Sequence, residues 1–381
     1  MERFEAIVVG LGGMGSATLF HLAQRGMRVL GIEPNGIAHD RGSSHGQTRI
    51  IRKAYFEHPA YVPLVERSYT GWAELEALSG EQLLQQTGLL TVGRADSDVI
   101  EGTLRSAGEH SLAIESLNPD DLQRRFPMFR ANEEMIGLWE GDAGFLHVED
   151  CVRTYIEQAT ACGATLALGE AVESWKSTEA GVTVTTQSGR YGADRLILCA
   201  GPWTTGLIPG SHLLIEVRRK VMLWFDAPDE RFHVGHGFPV FCFDTPGGFF
   251  YGFPALANGL LKVGEHSGGQ PLPDPDQIDR SLRPEDQTPV LEFLREHVPD
   301  VGPEVRAHSV CMYSMTPDEH FIVDFVPDRS NVIVAAGFSG HGFKFAPVIG
   351  SVLADLAQQG RTDESVDFLS AARRFPGASH T

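Results

Sequence analysis

Residues Ala6 to Glu33 restrict the folds open to this chain more than any other stretch. Ala6-Ile7-Val8-Val9 reads as a short buried strand and Gly10-Leu11-Gly12-Gly13-Met14-Gly15 as a glycine turn. A helical run follows, and Val29-Leu30-Gly31-Ile32-Glu33 closes the unit as a second strand ending in an acid. Together they make one βαβ unit. Gly10 suits the tight turn, Gly12 lets the backbone approach a pyrophosphate, and Gly15 lets helix and strand pack closely. The pyrophosphate belongs on the helix N-terminus, where free N–H groups and the dipole favour negative charge. Glu33, eighteen residues past Gly15, can accept hydrogen bonds from a ribose diol. Taken alone, the stretch leaves NAD and FAD as alternatives.

A length of 381 residues is long for one core and suggests roughly two domains. With 42% apolar residues, 21% charged residues and no apolar run of membrane-spanning length, the composition is that of a soluble globular protein. Ala6 to Gly10 is too short for a signal-peptide core, and Glu2 and Glu5 are the wrong flanks. Ser379-His380-Thr381 is not the peroxisomal Ser-Lys-Leu address, so a cytoplasmic location is expected. The excess of 50 acidic over 31 basic residues, a formal charge of −19, argues against nucleic acid and anionic membrane as partners. Cys151, Cys162, Cys199, Cys242 and Cys311 form no CxxC pair and fit neither a disulfide framework nor a zinc site. No HExxH pattern occurs, and no metal is expected.

In order along the chain, the first helix runs from about Met14 to Arg25 and buries Ala17, Leu19, Leu22 and Ala23. A polar loop rich in Gly, Ser and His spans Asn35 to Gln47 and leads into Thr48-Arg49-Ile50-Ile51-Arg52-Lys53. Arg49 and Arg52 bracket two isoleucines, so at least one guanidinium lies near a buried surface and calls for an anionic partner. Helices are predicted for Tyr61 to Leu78, Ile100 to His110 and Val148 to Cys162, a strand for Gly88 to Val92, and a hairpin around Gln187-Ser188-Gly189. Arg195 to Gly201 reads as a buried strand in which Cys199 is a small core residue. From Leu213 to Val263 the chain is β-rich, with strands at Val217 to Phe225, Val240 to Phe243, Gly248 to Phe253 and Leu260 to Gly264. Short turns between them suggest an antiparallel sheet. A helix around Thr288 to His297 follows. Asn331 to Gly337 is again a buried strand, Phe338 to Phe345 a glycine-rich turn, and Ala346 to Leu356 a helix with Pro347 in its first turn. The nucleotide-binding layer is therefore expected from both ends of the chain, with the β-rich part inserted between.

Few side chains declare a chemical role by pattern alone. Lys262 alternates with Leu261 and Val263, so it faces either solvent or a cavity, depending on which side the core takes. His266 reads as an ordinary polar surface residue, Tyr251 as a core aromatic or a pocket wall, and Cys311 as inert packing. Lys344 is harder to dismiss. A half-buried lysine at a helix N-terminus is repelled by the dipole and implies a nearby anion.

Five longer segments carry a family resemblance. Gly42-Ser43-Ser44-His45-Gly46-Gln47-Thr48-Arg49-Ile50-Ile51-Arg52, Tyr251-Gly252-Phe253-Pro254, Val310-Cys311-Met312-Tyr313, Asp318-Glu319-His320-Phe321-Ile322-Val323-Asp324 and Gly337-Phe338-Ser339-Gly340-His341-Gly342-Phe343-Lys344 resemble, in order and spacing, the monomeric sarcosine oxidases. The N-methyltryptophan oxidases and pipecolate oxidases are close relatives, and the similarity runs from Phe4 to the last helix. The resemblance implies a monomeric flavoprotein of the D-amino-acid-oxidase type. Its α/β FAD-binding domain (1–85, 145–215, 315–381) would have a Rossmann-like fold, with a mixed or antiparallel substrate domain (86–144, 216–314) inserted. It further implies FAD in thioether linkage to Cys311, oxidation of secondary amines of N-methyl or cyclic amino acids to imines, and return of electrons to O2 as H2O2. A nicotinamide-dependent dehydrogenase is the alternative of another class.

The same resemblance distributes roles. Arg52 and Lys344 would hold the substrate carboxylate, Tyr251, His266 and Cys242 line the substrate pocket, and Lys262 sit at the oxygen-activating position, with His45 and Arg49 close to the flavin ring. The cofactor would touch Gly10, Gly12, Gly13, Met14, Gly15, Glu33, Ser43, Ser44, Thr48, Arg49, Val172, Gly201, Cys311, Met312, Gly337, Gly340, His341, Gly342, Phe343 and Lys344. Ser44 and Gln47 stand where the sarcosine oxidase pattern has His and Asp, the Gln being more like pipecolate oxidases, and Cys242 stands at a position that can be Met. These changes alter volume and polarity near the substrate.

Overall fold

A computed structural model describes residues 1–210 and 213–373; the Ser379-His380-Thr381 terminus lies outside the described residues. Glu2–Val9, Gly13–Gln24 and Val29–Glu33 form the strand, helix and strand that the sequence predicts. The last four residues of the first strand and all five of the second are buried, as parallel strands covered on both faces must be. Their sheet runs Val172–Thr178, Gly181–Thr186, Gly189–Leu198, Glu2–Val9, Val29–Glu33, Thr165–Leu168. Leu196 to Leu198 also pair in parallel with Val332 to Val334, and Ile322–Phe325 pairs antiparallel to Val332–Ala336. The far end of the chain thus returns to the opening unit, and the fold is α/β.

The turn shows why its glycines are glycines. Gly10 has φ +85°, which L side chains rarely adopt. A Cβ on Gly15 would lie 1.7 Å from Gly10 O, whereas one on Gly12 would meet only Ser44 Oγ, at 3.3 Å. Gly15→Ala is therefore expected to destabilise the protein by about 3 kcal/mol or more, and Gly12→Ala by clearly less. Urea unfolding of the two variants checks this, and equal losses would contradict it. Behind the turn, Gly13–Gln24 packs on Val148–Ala161 and Ala346–Gln359. The second contact is close because a Cβ on Gly350 would come within 2.8 Å of Ala17.

The β-rich part forms a second sheet of nine strands. Its path is Gln270–Pro271, Glu216–Asp226, Leu260–Glu265, Gly248–Phe253, Val240–Thr245, Leu89–Arg94, Met135–Glu140 and Glu115–Leu117, with Val305–Met315 along the free side of Glu216–Asp226. The sheet is mixed rather than purely antiparallel, because Val240–Thr245 pairs in parallel with Leu89–Arg94. Its register decides which side chains share a face. Lys220 opposes Cys311, Met222 opposes Gly264, Trp224 opposes Lys262, and Tyr251 opposes both Gly264 and Cys242. Opposed residues share a face, so all of these point to the same side. Leu223, Phe225, Leu261, Val263, Phe243 and Phe250 take the other side and pack with Phe293 of helix Pro284–His297. That parity resolves the alternative at Lys262, which turns from the hydrophobic core yet is 2% exposed. A third, small sheet of Thr48–Ile51, Gly144–His147 and Leu84–Gln86 completes the strands. Among the described residues no helix is long and apolar enough to cross a membrane.

Candidate active site

One cavity of about 880 Å³ runs from the glycine turn to the inner face of the nine-stranded sheet. At its first end, helix Gly13–Gln24 begins without a side-chain cap and without an acid in its first turn. Its dipole and leading amides therefore favour negative charge at this end of the cavity. Ser44 Oγ accepts from Gly13 N at 3.0 Å. Glu33 accepts from Leu11 N at 2.9 Å and Asn35 N at 3.0 Å, and its Oε1 lies 3.1 Å from His39 Nε2. Burial works against its charge, but the bonds from His39, Leu11 and Asn35 prevail and hold the carboxyl below its ordinary range.

At the other end the cavity is walled by cations. Arg52 is buried, its Nη2 bonded to both oxygens of Glu57 at 2.7 and 2.6 Å and its Nη1 to Ala54 O at 2.7 Å. The guanidinium also stacks over Tyr55 and Phe56, 4.3 and 4.5 Å from the ring centres. Glu57 is thus the anionic partner that the Arg-Ile-Ile-Arg pattern demanded. Although burial opposes its ionisation, Arg52 above all drives its carboxyl down to about 2. Lys344 Nζ donates to His341 O at 2.9 Å and approaches Tyr55 Oη at 3.4 Å. Burial, reinforced by repulsion from Arg52, pushes its ammonium down to about 7. His341 has both ring nitrogens engaged, Nδ1 with Tyr55 Oη at 2.6 Å and Nε2 with Glu319 O at 3.0 Å. It braces the turn that presents Lys344.

Between the two ends lies the sheet face. Cys311 Sγ is 3.7 Å from Arg49 Nη2 and 3.6 Å from Ser43 O, while Ser43 Oγ donates to Met312 O at 2.7 Å. Arg49 also donates to Thr48 O and Ser43 O, each at 2.9 Å. Lys262 Nζ donates to Gly46 O, Thr48 O and Thr48 Oγ1 at 2.7 to 2.9 Å, and lies 4.3 Å from the centre of the Phe253 ring. Burial pushes its ammonium well below the usual lysine value, and Arg49 adds to the effect. His45 Nδ1 meets Ser309 Oγ at 3.2 Å, whereas its buried Nε2 has no partner among the described residues. Burial takes His45 down to about 3 and, with repulsion from Lys220, His266 to about 3 as well, so both are neutral near pH 7.

The structure gathers most of the anticipated site. Gly10, Gly12, Gly13, Met14, Glu33, Ser43, Ser44, Arg49, Arg52, Val172, Gly201, Cys242, Tyr251, His266, Cys311, Met312, Gly337, Gly340, His341, Gly342, Phe343 and Lys344 all line the cavity. Gly15, His45, Thr48 and Lys262 stand behind its wall rather than on it. Gly15 is pinned against Gly10, and Lys262 and Thr48 bind each other. Gln47 is exposed and bonded to Trp224 Nε1 at 2.9 Å, so its substitution does not reach the cavity. His266 is engaged inside, with Nδ1 3.3 Å from Tyr313 Oη, rather than lying on the surface. Lining residues to which the sequence reading assigned no role include Glu57, Lys220, Phe249 and Tyr313. For three of them strand parity carries the signal, since Lys220 alternates with Val221, Tyr313 lies two after Cys311, and Phe249 two before Tyr251.

A dinucleotide cradle continuous with a chamber of buried cations defines a dinucleotide-dependent oxidoreductase. Comparison with known proteins supplies the particular kind. The family described as DAO, FAD dependent oxidoreductase, matches residues 5–356. Monomeric sarcosine oxidase from Bacillus sp. (strain B-0618) is 39% identical over 97% of this chain and 96% of its own. N-methyl-L-tryptophan oxidase from Yersinia pestis (strain Pestoides F) is 38% identical over 97% and 99%. Among solved structures, NikD, an unusual amino acid oxidase essential for nikkomycin biosynthesis, superposes with a TM-score of 0.86 at 26% identity over 97% and 98% of the two chains. Glycine oxidase from Geobacillus kaustophilus shares the fold, with a TM-score of 0.83 at 20% identity over 98% and 100%. The chain belongs to the DAO family of FAD-dependent oxidoreductases. FAD therefore replaces the nicotinamide alternative. The residues present fit it: a helix N-terminus with no acid in its first turn, glycines where a Cβ would clash, and a carboxylate at the end of the second strand.

Proposed function

We propose that this chain oxidises secondary amines of N-methyl or cyclic amino acids to imines, with O2 as the final acceptor and FAD tethered through Cys311. The observation that carries the proposal is the convergence of Arg52 and Lys344 on a chamber also lined by Tyr251, His266 and Cys242. Two buried cations share one carboxylate, Glu57, which leaves net positive charge for the carboxylate of an amino acid. When bound, FAD supplies the hydride acceptor and hands the electrons on to O2. The protein's part is orientation and field. Arg52 and Lys344 fix the carboxylate and so aim the amine carbon, a proximity effect. The same cations lower the pKa of the substrate amine, so that it sheds its proton without a dedicated base. Neutral His266 and Tyr251, whose phenol burial pushes up to about 12, give the amine polar but uncharged neighbours.

Residues 1–85, 145–215 and 315–381 would hold the cofactor, and 86–144 and 216–314 the substrate. The membership of the two large sheets supports this division, and the small sheet bridges it. A cytoplasmic monomer is the form we propose. Five cysteines without a disulfide suit a reducing compartment, and a relative is named monomeric sarcosine oxidase. The reading is tested by mixing the holoprotein anaerobically with N-methyl and cyclic amino acids. Bleaching of the flavin absorbance is expected with at least one, and none across the panel would defeat it.

Lys344 adds a pH dependence. Its ammonium must be charged to bind a carboxylate, and in the free protein it loses its proton around pH 7. The affinity for a simple carboxylate such as propionate is therefore expected to be greatest near about pH 6, where the ligand is ionised and Lys344 charged, and to fall by up to about tenfold per pH unit above 7. Titration of flavin absorbance with propionate across pH checks this, and Lys344→Met should flatten the profile.

A further inference from the structure

Lys220 has no part in that chemistry, yet it lines the same chamber. It stands on Glu216–Asp226 directly opposite Cys311 and is 6% exposed. Its Nζ donates to the carbonyl oxygens of His266 and Ser267 and lies 5.4 Å from the centre of the Tyr313 ring. An ammonium has three donors, and carbonyls carry no net charge, so this cation is solvated by the protein but not neutralised. The carboxylate of Glu265 accepts from Ser267 Oγ at 2.9 Å and favours the Lys220 charge from a distance, with no ion pair between the two among the described residues. Burial chiefly pushes the Lys220 ammonium down to about 8, with Glu265 opposing and Arg218 assisting.

The position of this charge is informative. A chain of ring contacts from Tyr313 through His266, Phe249 and Phe56 separates Lys220 from Arg52, so the two cations stand on different parts of the chamber wall. Of the carboxylates lining the cavity, Glu57 is bound to Arg52, Glu33 lies at the glycine turn, and Asp276 accepts from Trp203. A substrate with one carboxylate satisfies the Arg52 and Lys344 end and leaves Lys220 uncompensated.

We propose that Lys220 is a specificity-determining residue that binds a second, side-chain carboxylate of the substrate, making N-methyl or cyclic amino dicarboxylic acids the favoured class. This rests on the secondary-amine reading. The test compares N-methyl-L-aspartate and N-methyl-L-glutamate with their neutral amides, N-methyl-L-asparagine and N-methyl-L-glutamine, on wild-type, Lys220→Met and Lys220→Arg holoenzymes. In the wild type, kcat/KM for a diacid should exceed that for its amide by about tenfold or more. Lys220→Met should collapse that ratio, mainly through KM of the diacid, and Lys220→Arg should restore most of it. A ratio unchanged in Lys220→Met, or an equal loss for diacid and amide, overturns the proposal. Should no amine be oxidised, the secondary-amine reading falls, while glutarate against butyrate binding, followed by flavin absorbance, still decides Lys220. Tighter glutarate binding in the wild type that is lost in Lys220→Met supports it, and equal binding in both overturns it.

Discussion

The wild-type protein should keep its flavin through acid precipitation, and replacing Cys311 by Ser should release it. Cys311 Sγ faces the cavity at 2% exposure, with Arg49 Nη2 at 3.7 Å and Ser43 O at 3.6 Å. Arg49 and the Ser43 carbonyl thus hold the thiol at the cavity, where a thioether to the flavin would form. The other cysteines offer internal controls. Burial pushes Cys199 and Cys242 up to about 12, although both line the cavity, Cys151 lies in the core of helix Val148–Ala161, and Cys162 is exposed. Cys242→Ser should therefore keep its colour after precipitation. Loss of flavin from the wild type, or its retention in Cys311→Ser, would contradict the tether.

Lys262→Met should lower the rate at which the reduced enzyme reacts with O2 by about 10²–10³, with substrate-driven flavin reduction changed by less than about tenfold. The expectation rests on an ammonium that the fold fixes by hydrogen bonds in a dry place, against a burial that disfavours its charge. Three oxygens from Gly46 and Thr48 fix the ammonium, and Phe253 and Trp224 flank it at 4.3 and 5.7 Å. A preorganised cation stabilises negative charge as it develops on O2 and costs no reorganisation. Met keeps the volume and removes the charge. Stopped-flow measurement of the two half-reactions separates the roles, because equal losses in both would mean that Lys262 only props the Gly46–Thr48 segment.

The parts of the fold that obey a short period were legible from the chain alone. The glycine turn, its two strands and the returning strand Val332–Ala336 follow from local pattern, since parallel strands buried on both faces read as apolar runs. Less legible was anything decided by which face of a strand meets which layer. Lys262 alternates with Leu261 and Val263, Lys220 stands between Arg219 and Val221, and Tyr313 between Met312 and Ser314, and only the register of the nine-stranded sheet says that these three share a buried face. The ion pair of Arg52 with Glu57 was half visible. The arginine's burial implied an anion, but its source, five residues on across a loop, depends on how Tyr55 and Phe56 fold under the guanidinium. Gln47 misled for the opposite reason. Its neighbours His45 and Thr48 turn inward, while Gln47 at φ +70° turns out to Trp224.

The central claim is that a carboxylate-anchored secondary amine is oxidised at the expense of O2. The most direct measurement is H2O2 formation from matched sets: N-methyl amino acids and L-pipecolate, their decarboxylated amines, and the corresponding primary amino acids. H2O2 should form from members of the first set, and removal of the carboxylate or of the N-alkyl group should abolish it or cut it by orders of magnitude. Equal turnover of the decarboxylated amines, or H2O2 from primary amino acids alone, would contradict the account.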